Sequence, residues 1–178
     1  MNTLFTTILV GISLSMDAFS LSLIYGMQNF SRKNIFKLSL IVGLFHFFMP
    51  LIGLRIGGLL DSYFAFNFNF VVGIIFTIIG FEMIMSSLKE EDIKFIVNIV
   101  SFLLFGFSVS IDSFTTGIGL KAINDNYFEV SFIFMLCSAI FTFLGLTFGN
   151  RLSRRFGNIA TISGGVMLIG LAIYYVIK

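Results

Sequence analysis

The chain has 178 residues, of which 57% are hydrophobic and only 11% are charged, and its formal net charge is +2. Because a soluble domain carries about 25% charged residues, this composition excludes a disordered chain, a nucleic-acid-binding protein and an ordinary cytosolic enzyme. It predicts an all-α protein embedded in a lipid bilayer. The single cysteine, Cys137, excludes an internal disulfide and leaves no second thiolate for a metal cluster.

Six segments of the chain are apolar for about 20 residues, which is the length that a helix needs to cross a bilayer. The connections between them are short and hold most of the charged residues. We therefore predict a single transmembrane domain over residues 1–178 with six membrane-spanning helices. The predicted spans are, in chain order, Thr3–Met27, Lys37–Leu60, Phe68–Leu88, Phe95–Leu120, Val130–Asn150 and Asn158–Ile177.

The Lys and Arg residues indicate how these spans are oriented. Of the 11 Lys and Arg residues, only Arg55, Lys121 and Lys178 lie on the side of the second and fourth connections. Loops rich in Lys and Arg stay in the cytoplasm. We therefore expect the first, third and fifth connections to be cytoplasmic and both termini to lie outside. The remaining basic residues are Arg32, Lys33, Lys37, Lys89, Lys94, Arg151, Arg154 and Arg155.

The two halves of the chain repeat a short motif. Ser13–Phe19 in the first span aligns with Ser108–Phe114 in the fourth, and both Ser residues, the Asp and the Phe are identical. Weaker matches pair Gly53 with Gly149, and the second and third spans with the fifth and sixth. Because each half, residues 1–88 and 95–178, holds three spans, the second half must cross in the opposite sense. Inverted repeats of this kind are typical of secondary transporters, whose sites lie near the bilayer midplane.

Ionisable side chains inside the predicted spans are the strongest functional signal. Asp17, Asp112, Glu82 and His46 each cost about 3 kcal/mol or more at the bilayer centre, so each needs a reason to be there. Asp17 lies about 12 residues beyond Phe5, or ~18 Å along the helix, which is close to the middle of the ~30 Å hydrocarbon core. Asp112 has a comparable depth, and the repeat predicts that the two aspartates face each other.

Hydroxyl groups accompany both aspartates at helical spacing. Carboxylate and hydroxyl oxygens together are typical ligands of a divalent cation such as manganese or magnesium. Two buried like charges repel each other, so we expect cation entry to be linked to proton release. A structural role, with each aspartate hydrogen-bonded to a serine, is the alternative. The candidate hydroxyls are Ser13 and Ser20 in the first span and Ser108, Ser110, Thr115 and Thr116 in the fourth.

Three further residues have two interpretations each. His46 lies in mid-span, where it is either a nitrogen ligand that favours a transition metal or a packed neutral histidine. Glu82 lies about six residues from the cytoplasmic end of the third span, which favours a residue at the mouth of the site over a ligand. Pro50 removes a backbone donor, so we expect it to break the hydrogen-bond ladder of the second span and to kink the helix, either as a gate or as packing relief.

The motifs around these residues resemble the MntP-type manganese efflux pumps, which are six-helix bacterial proteins of the LysE-like transporter superfamily. The similarity includes Ser15–Phe19, Phe45–Gly53 and Ser110–Leu120 and extends over nearly the whole chain. It implies that Asp17 and Asp112 are essential for export and that Mn²⁺ is a transported substrate and not a permanently bound cofactor.

The chain also departs from the pattern of that family. His46 replaces a family Gln or Glu, and Thr161 replaces a family acid near the start of the sixth span. In the third span the acid stands at Glu82 and not at the position of Ser86. The two central carboxylates are thus kept while the peripheral acids have moved, which leaves the metal identity open.

The residues and the resemblance together predict an exporter of Mn²⁺ or a similar divalent cation in the bacterial inner membrane. No nucleotide-binding motif is present, so we expect coupling to protons or to the membrane potential. An enzyme is not expected, and the small size of the chain is compatible with a homodimer. Two alternatives stay open, which are an exporter of a small organic solute such as an amino acid, and a non-transporting membrane scaffold linked to sporulation.

Overall fold

A computed structural model describes residues 3–26, 30–63, 68–88, 98–120, 126–149 and 154–177. These residues are helical almost throughout, and none of them lies in a β-strand, which confirms the predicted all-α class. The helices are α1 (Thr3–Gly26), α2 (Arg32–Tyr63), α3 (Phe68–Ser87), α4 (Ile99–Val109), α5 (Ile111–Leu120), α6 (Tyr127–Phe148) and α7 (Arg154–Ile177).

Five stretches of the described residues are long and apolar enough to cross a membrane. They lie in α1, α2, α6, α7 and in α4 and α5 taken together. The third predicted span corresponds to a shorter apolar segment, Val72–Met85, within α3. The prediction of a multi-pass helical membrane protein is therefore confirmed, with five clear spans and one shorter apolar helix in place of six equal ones.

The outer surface of the helices is apolar, as a lipid-facing surface must be. On α2 the exposed side chains recur every four residues and form one continuous stripe along the helix. Serine and threonine are instead frequent among the buried residues. This distribution is the reverse of that in a soluble protein and is expected for a bundle surrounded by hydrocarbon. The stripe consists of Phe36, Leu40, Leu44, Phe48, Ile52 and Ile56.

Helix α2 begins earlier than predicted and is not interrupted. Ser31 accepts a hydrogen bond from the Asn34 N–H through its side-chain oxygen, and this cap starts the helix at Arg32 and not at Lys37. The helix then continues through Pro50 to its last residue. The helix thus accommodates Pro50 although the proline lacks the N–H of one ladder bond, and the predicted kink at this residue stays a prediction.

The interruption lies in the fourth span, which was predicted as one helix. Helix α4 ends at Val109 and α5 begins at Ile111, with Ser110 between them at φ −104° and ψ 1°. The Ser110 hydroxyl donates to the Phe107 carbonyl oxygen at 3.0 Å, and the Ser110 N–H donates to the same oxygen at 3.2 Å. Both bonds close a turn tighter than an α-helical turn, which offsets α5 from α4 just before Asp112.

Asparagine caps account for two other shifted helix starts. The side chain of Asn98 accepts a hydrogen bond from the N–H three residues later at 2.7 Å, so α4 begins after it, while the predicted start, Phe95, lies outside the described residues. Asn126 caps α6 in the same way, and α6 therefore begins at Tyr127 and not at Val130.

Helices from the two halves of the chain pack against each other. Helix α1 packs on α6 and α7, α2 packs on α5 and α6, and α3 packs on α7. Glycines permit the closest approaches: a Cβ added at Gly117 would lie 2.6 Å from the Pro50 carbonyl oxygen, and one at Gly145 would lie 2.7 Å from the Phe19 carbonyl oxygen. These contacts bring α1, α3, α5 and α7 around one central space.

Candidate metal-binding cavity

The central space is a cavity of about 460 Å³ between α1, α3, α7 and the junction of α4 and α5. Its wall is mixed, with carboxylates, hydroxyls and an amide set among apolar side chains. The polar lining residues are Asp17, Ser20, Glu82, Ser87, Ser108, Asp112, Thr115, Asn158 and Thr161.

The two motif aspartates line this same cavity from opposite halves of the chain. Asp17 lies in the middle of α1, and Asp112 lies in the first turn of α5. Glu82 of α3 joins them, and its negative charge acts on both aspartates, while the charge of Asp17 also acts on Asp112. The cavity therefore holds three carboxylates whose mutual repulsion a cation would relieve.

The interruption at Ser110 determines the surroundings of Asp112. Because α5 starts at Ile111, the carboxylate lies beside the free N–H groups at the start of a helix, where negative charge is favoured. The Ser113 N–H donates a hydrogen bond to Asp112 Oδ1 at 2.7 Å. A broken helix that presents such an end to a central site is a recurrent feature of transporters.

The predicted hydroxyl ligands divide into two groups. Thr115, Ser20 and Ser108 line the cavity. Ser13 and Ser110 are buried and do not line it; their hydroxyls donate to the carbonyl oxygens of their own helices, from Ser13 to Leu9 at 2.9 Å and from Ser110 to Phe107.

His46 is buried away from the cavity lining. Its Nδ1 lies 3.0 Å from the Val42 carbonyl oxygen in the preceding turn of α2, while its Nε2 has no hydrogen-bond partner in the part of the chain that the structure describes. No residue of α2 lines the cavity. In this conformation His46 is thus a packed histidine of α2.

Two polar residues of α7 belong to the site although the sequence analysis did not propose them as ligands. Asn158 and Thr161 both line the cavity. Their separation of three residues places them on one face of a helix, and polar residues at that spacing in an otherwise apolar span were the available signal. Thr161 had been noted only as a departure from a family pattern.

The cavity extends from the aspartates toward one end of the bundle. On α1 it is lined as far as Ile24, two residues before the helix ends, and on α3 as far as Ser87, the last helical residue. On α7 it begins at Asn158, one turn after the helix starts. The exposed residues Arg32 and Lys33, at the start of α2, follow the end of α1 closely in the chain.

The other side of the aspartates is closed by an apolar cluster. Buried side chains from all the helices that surround the cavity fill the space there, with α2 and α6 contributing as well. The cluster includes Val10 and Leu14 of α1, Val72 and Phe76 of α3, Leu120 of α5, and Leu168 and Tyr175 of α7.

The carboxylates do not form a compact ligand set in this conformation. Among the residues that the structure describes, no three side chains of His, Cys, Asp or Glu lie together in a group that could hold a metal ion. The site is thus an open chamber with two aspartates and one glutamate on its wall, and it leaves room for a hydrated ion or a small solute.

Comparison with known proteins identifies the family. A family model described as "Putative manganese efflux pump" matches residues 29–176. The protein named "Putative manganese efflux pump MntP" from Bacillus pumilus is 33% identical to the chain, over 96% of the chain and 93% of the relative. The protein of that name from Geobacillus thermodenitrificans is also 33% identical, over 90% of the chain and 88% of the relative. The protein of that name from Bacillus velezensis is 34% identical over 97% of each chain. No solved structure matches. This chain, a multi-pass helical membrane protein, therefore belongs to the MntP family, whose members are named as manganese efflux pumps.

Proposed function

We propose that the chain exports Mn²⁺, or a closely similar divalent cation, from the cytoplasm, and that the cation binds between Asp17 and Asp112. The observation that carries this proposal is the position of both motif aspartates, from separate halves of the chain, on the wall of one cavity. The names of the relatives supply the metal, since each of them is described as a manganese efflux pump.

The chemistry of the lining supports a divalent cation as the cargo. Asp17, Asp112 and Glu82 offer anionic oxygens, and Thr115 and Ser20 offer neutral ones. Oxygen-rich sites of this kind suit Mn²⁺ and Mg²⁺ better than soft metals. When the cation leaves, three carboxylates share the cavity without compensation, which favours their protonation and therefore exchange of the cation for protons.

An inverted repeat of three-helix units forms part of the proposal, and packing contacts support it. Gly145 of α6 lies against the Phe19 carbonyl oxygen of α1, and Gly53 of α2 lies against the Phe114 carbonyl oxygen of α5. Phe19 and Phe114 are the last residues of the repeated motif, so each half presents the same point of its motif helix to a glycine of the other half.

A second pair of contacts is reciprocal across the axis of such a repeat. A Cβ added at Gly80 of α3 would lie 2.7 Å from the Gly165 carbonyl oxygen and 2.8 Å from Ile169. One at Gly165 of α7 would lie 2.6 Å from the Gly80 carbonyl oxygen and 2.9 Å from Ile84. An exchange of α3 with α7 maps one set of contacts onto the other, as a twofold relation requires.

The extent of the cavity supports export from the cytoplasm. Its lining reaches the region where α1 and α3 end and α7 begins, which is the side of the connections rich in Lys and Arg. By the distribution of positive charge this side is cytoplasmic, and the termini are outside. We infer that the structure represents the state that accepts a cation from the cytoplasm, with the apolar cluster as the closed outer gate.

The test is export by living cells. The chain is expressed in a manganese-sensitive bacterium that lacks its own exporter, and growth in Mn²⁺ and cell-associated manganese are measured. The wild type should restore growth and lower cell manganese, whereas Asp17→Asn and Asp112→Asn should each lose export, because an amide keeps the shape of the side chain but removes the charge that holds the cation.

The matched control for these variants is Glu129→Gln. Glu129 lies in the first turn of α6, bonded to Asn126, and it does not line the cavity. We expect this variant to export like the wild type at equal membrane expression. Export that survives in both aspartate variants, or a wild type that reaches the membrane without lowering cell manganese, would contradict the proposal.

An exporter of a small organic solute is the second candidate, and one observation favours it. The cavity of about 460 Å³ lies within the range of pockets that hold small molecules, about 300–1,000 Å³. Competition separates the two candidates. If the cargo is a metal ion, an excess of amino acids should leave Mn²⁺ transport unchanged. If the cargo is an amino acid, unlabelled amino acids should inhibit transport of a labelled one and Mn²⁺ should not.

A further inference from the structure

Helix α7 contributes a polar face to a cavity whose charges come from other helices. Asn158 and Thr161 line the cavity together with the three carboxylates, and both are uncharged. They lie near the start of α7, on one face of the helix. The amide oxygen of Asn158 and the hydroxyl oxygen of Thr161 are both acceptors that can bind a hard cation.

Two glycines place Thr161 at the level of Asp17. A Cβ added at Gly157 would lie 2.9 Å from Ser20 Oγ, and one at Gly164 would lie 2.6 Å from the Ser13 carbonyl oxygen. Helix α7 therefore contacts α1 on either side of Asp17, and the two helices run antiparallel. Thr161 lies between the two glycines as Asp17 lies between the two serines, so the pair occupies the same depth.

The hydroxyl of Thr161 has no hydrogen-bond partner among the described residues although the residue is only 2% exposed. Threonines inside helices usually bond to a carbonyl oxygen of the preceding turn. Thr77 does so with Gly73 at 2.7 Å, and Thr147 with Phe143 at 2.7 Å. Thr161 lines the cavity, and its buried hydroxyl, which lacks this bond, is left for a ligand to satisfy.

We propose that Thr161, with Asn158 beside it, supplies neutral oxygen ligands to the divalent cation and completes the site on the side of α7. This inference rests on the proposed function, since it concerns the same cation between Asp17 and Asp112. Neutral ligands add coordination without adding to the three negative charges already present. The cation thus contacts α1 of the first half and both α5 and α7 of the second half. The packing of α7 on α1 determines the shape of the site.

Binding of Mn²⁺ to the purified full chain in detergent tests this role directly, by isothermal titration calorimetry. Thr161→Val keeps the shape of the side chain but removes the oxygen, and should weaken binding by about tenfold, the lower end of the loss when a group that supports a metal ligand is removed. Thr161→Ser keeps the hydroxyl and should bind nearly as the wild type does. Asn158→Ala should also weaken binding.

Thr142→Val is the matched control. Thr142 of α6 is also a buried threonine whose hydroxyl has no partner within the described residues, but it does not line the cavity. This variant should bind Mn²⁺ with wild-type affinity. Wild-type affinity in Thr161→Val and in Asn158→Ala would overturn the role of α7 and leave the aspartate site standing. A wild-type chain that binds no Mn²⁺ would overturn both proposals.

Discussion

Asp17 and Asp112 occupy the same position of a repeated motif but lie in different backbone surroundings. Asp17 lies within the continuous helix α1, and Asp112 lies at the start of α5. The preceding serines differ in the same way. Ser15 donates to the Gly11 carbonyl oxygen one full turn earlier, whereas Ser110 donates to a carbonyl oxygen only three residues earlier. A motif that shares four of its seven residues between the halves therefore presents one aspartate on a helix side and the other at a helix end.

The sequence indicated Asp17 and Asp112 as candidate ligands, but it did not indicate that residues of α7 line the same cavity. A carboxylate in an apolar span is conspicuous because it is costly there. Thr161 and Asn158 cost less free energy in an apolar span, since they are uncharged and a threonine in a helix normally bonds to its own backbone. Only the packing of Gly157 and Gly164 on α1 brings Thr161 to the depth of Asp17, and such contacts between distant segments are not encoded in local pattern.

Single glycines determine how closely the helices of the two halves approach. Substitution of Gly53 tests whether this close approach stabilises the protein. A Cβ at this position would collide with the Phe114 carbonyl oxygen, which belongs to backbone and cannot move aside easily. We expect Gly53→Ala to destabilise the protein by about 1–3 kcal/mol. Thermal unfolding of the purified protein in detergent measures the change.

Gly170→Ala is the control for this substitution. Gly170 of α7 is exposed, and a Cβ added there would meet nothing within 4 Å. Alanine should be neutral or stabilising by up to about 1 kcal/mol, since it favours helix more than glycine does. Equal stability losses in both variants would mean that helix propensity and not the contact of α2 with α5 governs the effect.

At the scale of elements, the interruption between α4 and α5 is the feature that shapes the site. The sequence predicted a continuous fourth span and a kink at Pro50 of α2. Proline is the strongest local signal for a break, but the turn at Ser110 depends on side-chain hydrogen bonding and on the fit of α5 against α2. Gly117 packs on the backbone of Pro50, so the proline marks a contact surface for α5.

Ser110→Ala tests whether the turn matters for transport. The variant removes the hydroxyl that bonds to the Phe107 carbonyl oxygen and favours a continuous helix, which would move Asp112 away from a helix start. We expect Mn²⁺ export to fall severalfold, measured as cell-associated manganese at equal membrane expression.

Ser163→Ala is the matched control for this test. Ser163 is exposed on α7, and its hydroxyl makes the same type of bond, to the Ala160 carbonyl oxygen at 2.7 Å, without any helix break. This variant should export normally. If Ser110→Ala exports as well as Ser163→Ala does, the bond from the Ser110 hydroxyl is not needed for export, and the prediction is wrong.

At the scale of the whole molecule, the sequence predicted the helical class and most of the spans because apolar runs and basic connections have clear signatures. The sequence was less informative about the register, that is, about which residues of the two halves correspond. The sequence paired Gly53 with Gly149, whereas the packing on Phe19 and Phe114 favours a correspondence of Gly53 with Gly145. Within apolar helices many residues are interchangeable, so alignment alone specifies the register poorly, and the contacts between helices specify it better.

If one cation is held jointly by an aspartate from each half of the chain, loss of either aspartate must weaken its binding. Equilibrium binding of Mn²⁺ to the purified protein, followed by electron paramagnetic resonance, measures this. We expect one bound Mn²⁺ per chain, with affinity lowered by at least about a hundredfold in Asp17→Asn and again in Asp112→Asn, and unchanged in Glu129→Gln. Wild-type affinity in either aspartate variant, or two ions lost independently by the two variants, would contradict it.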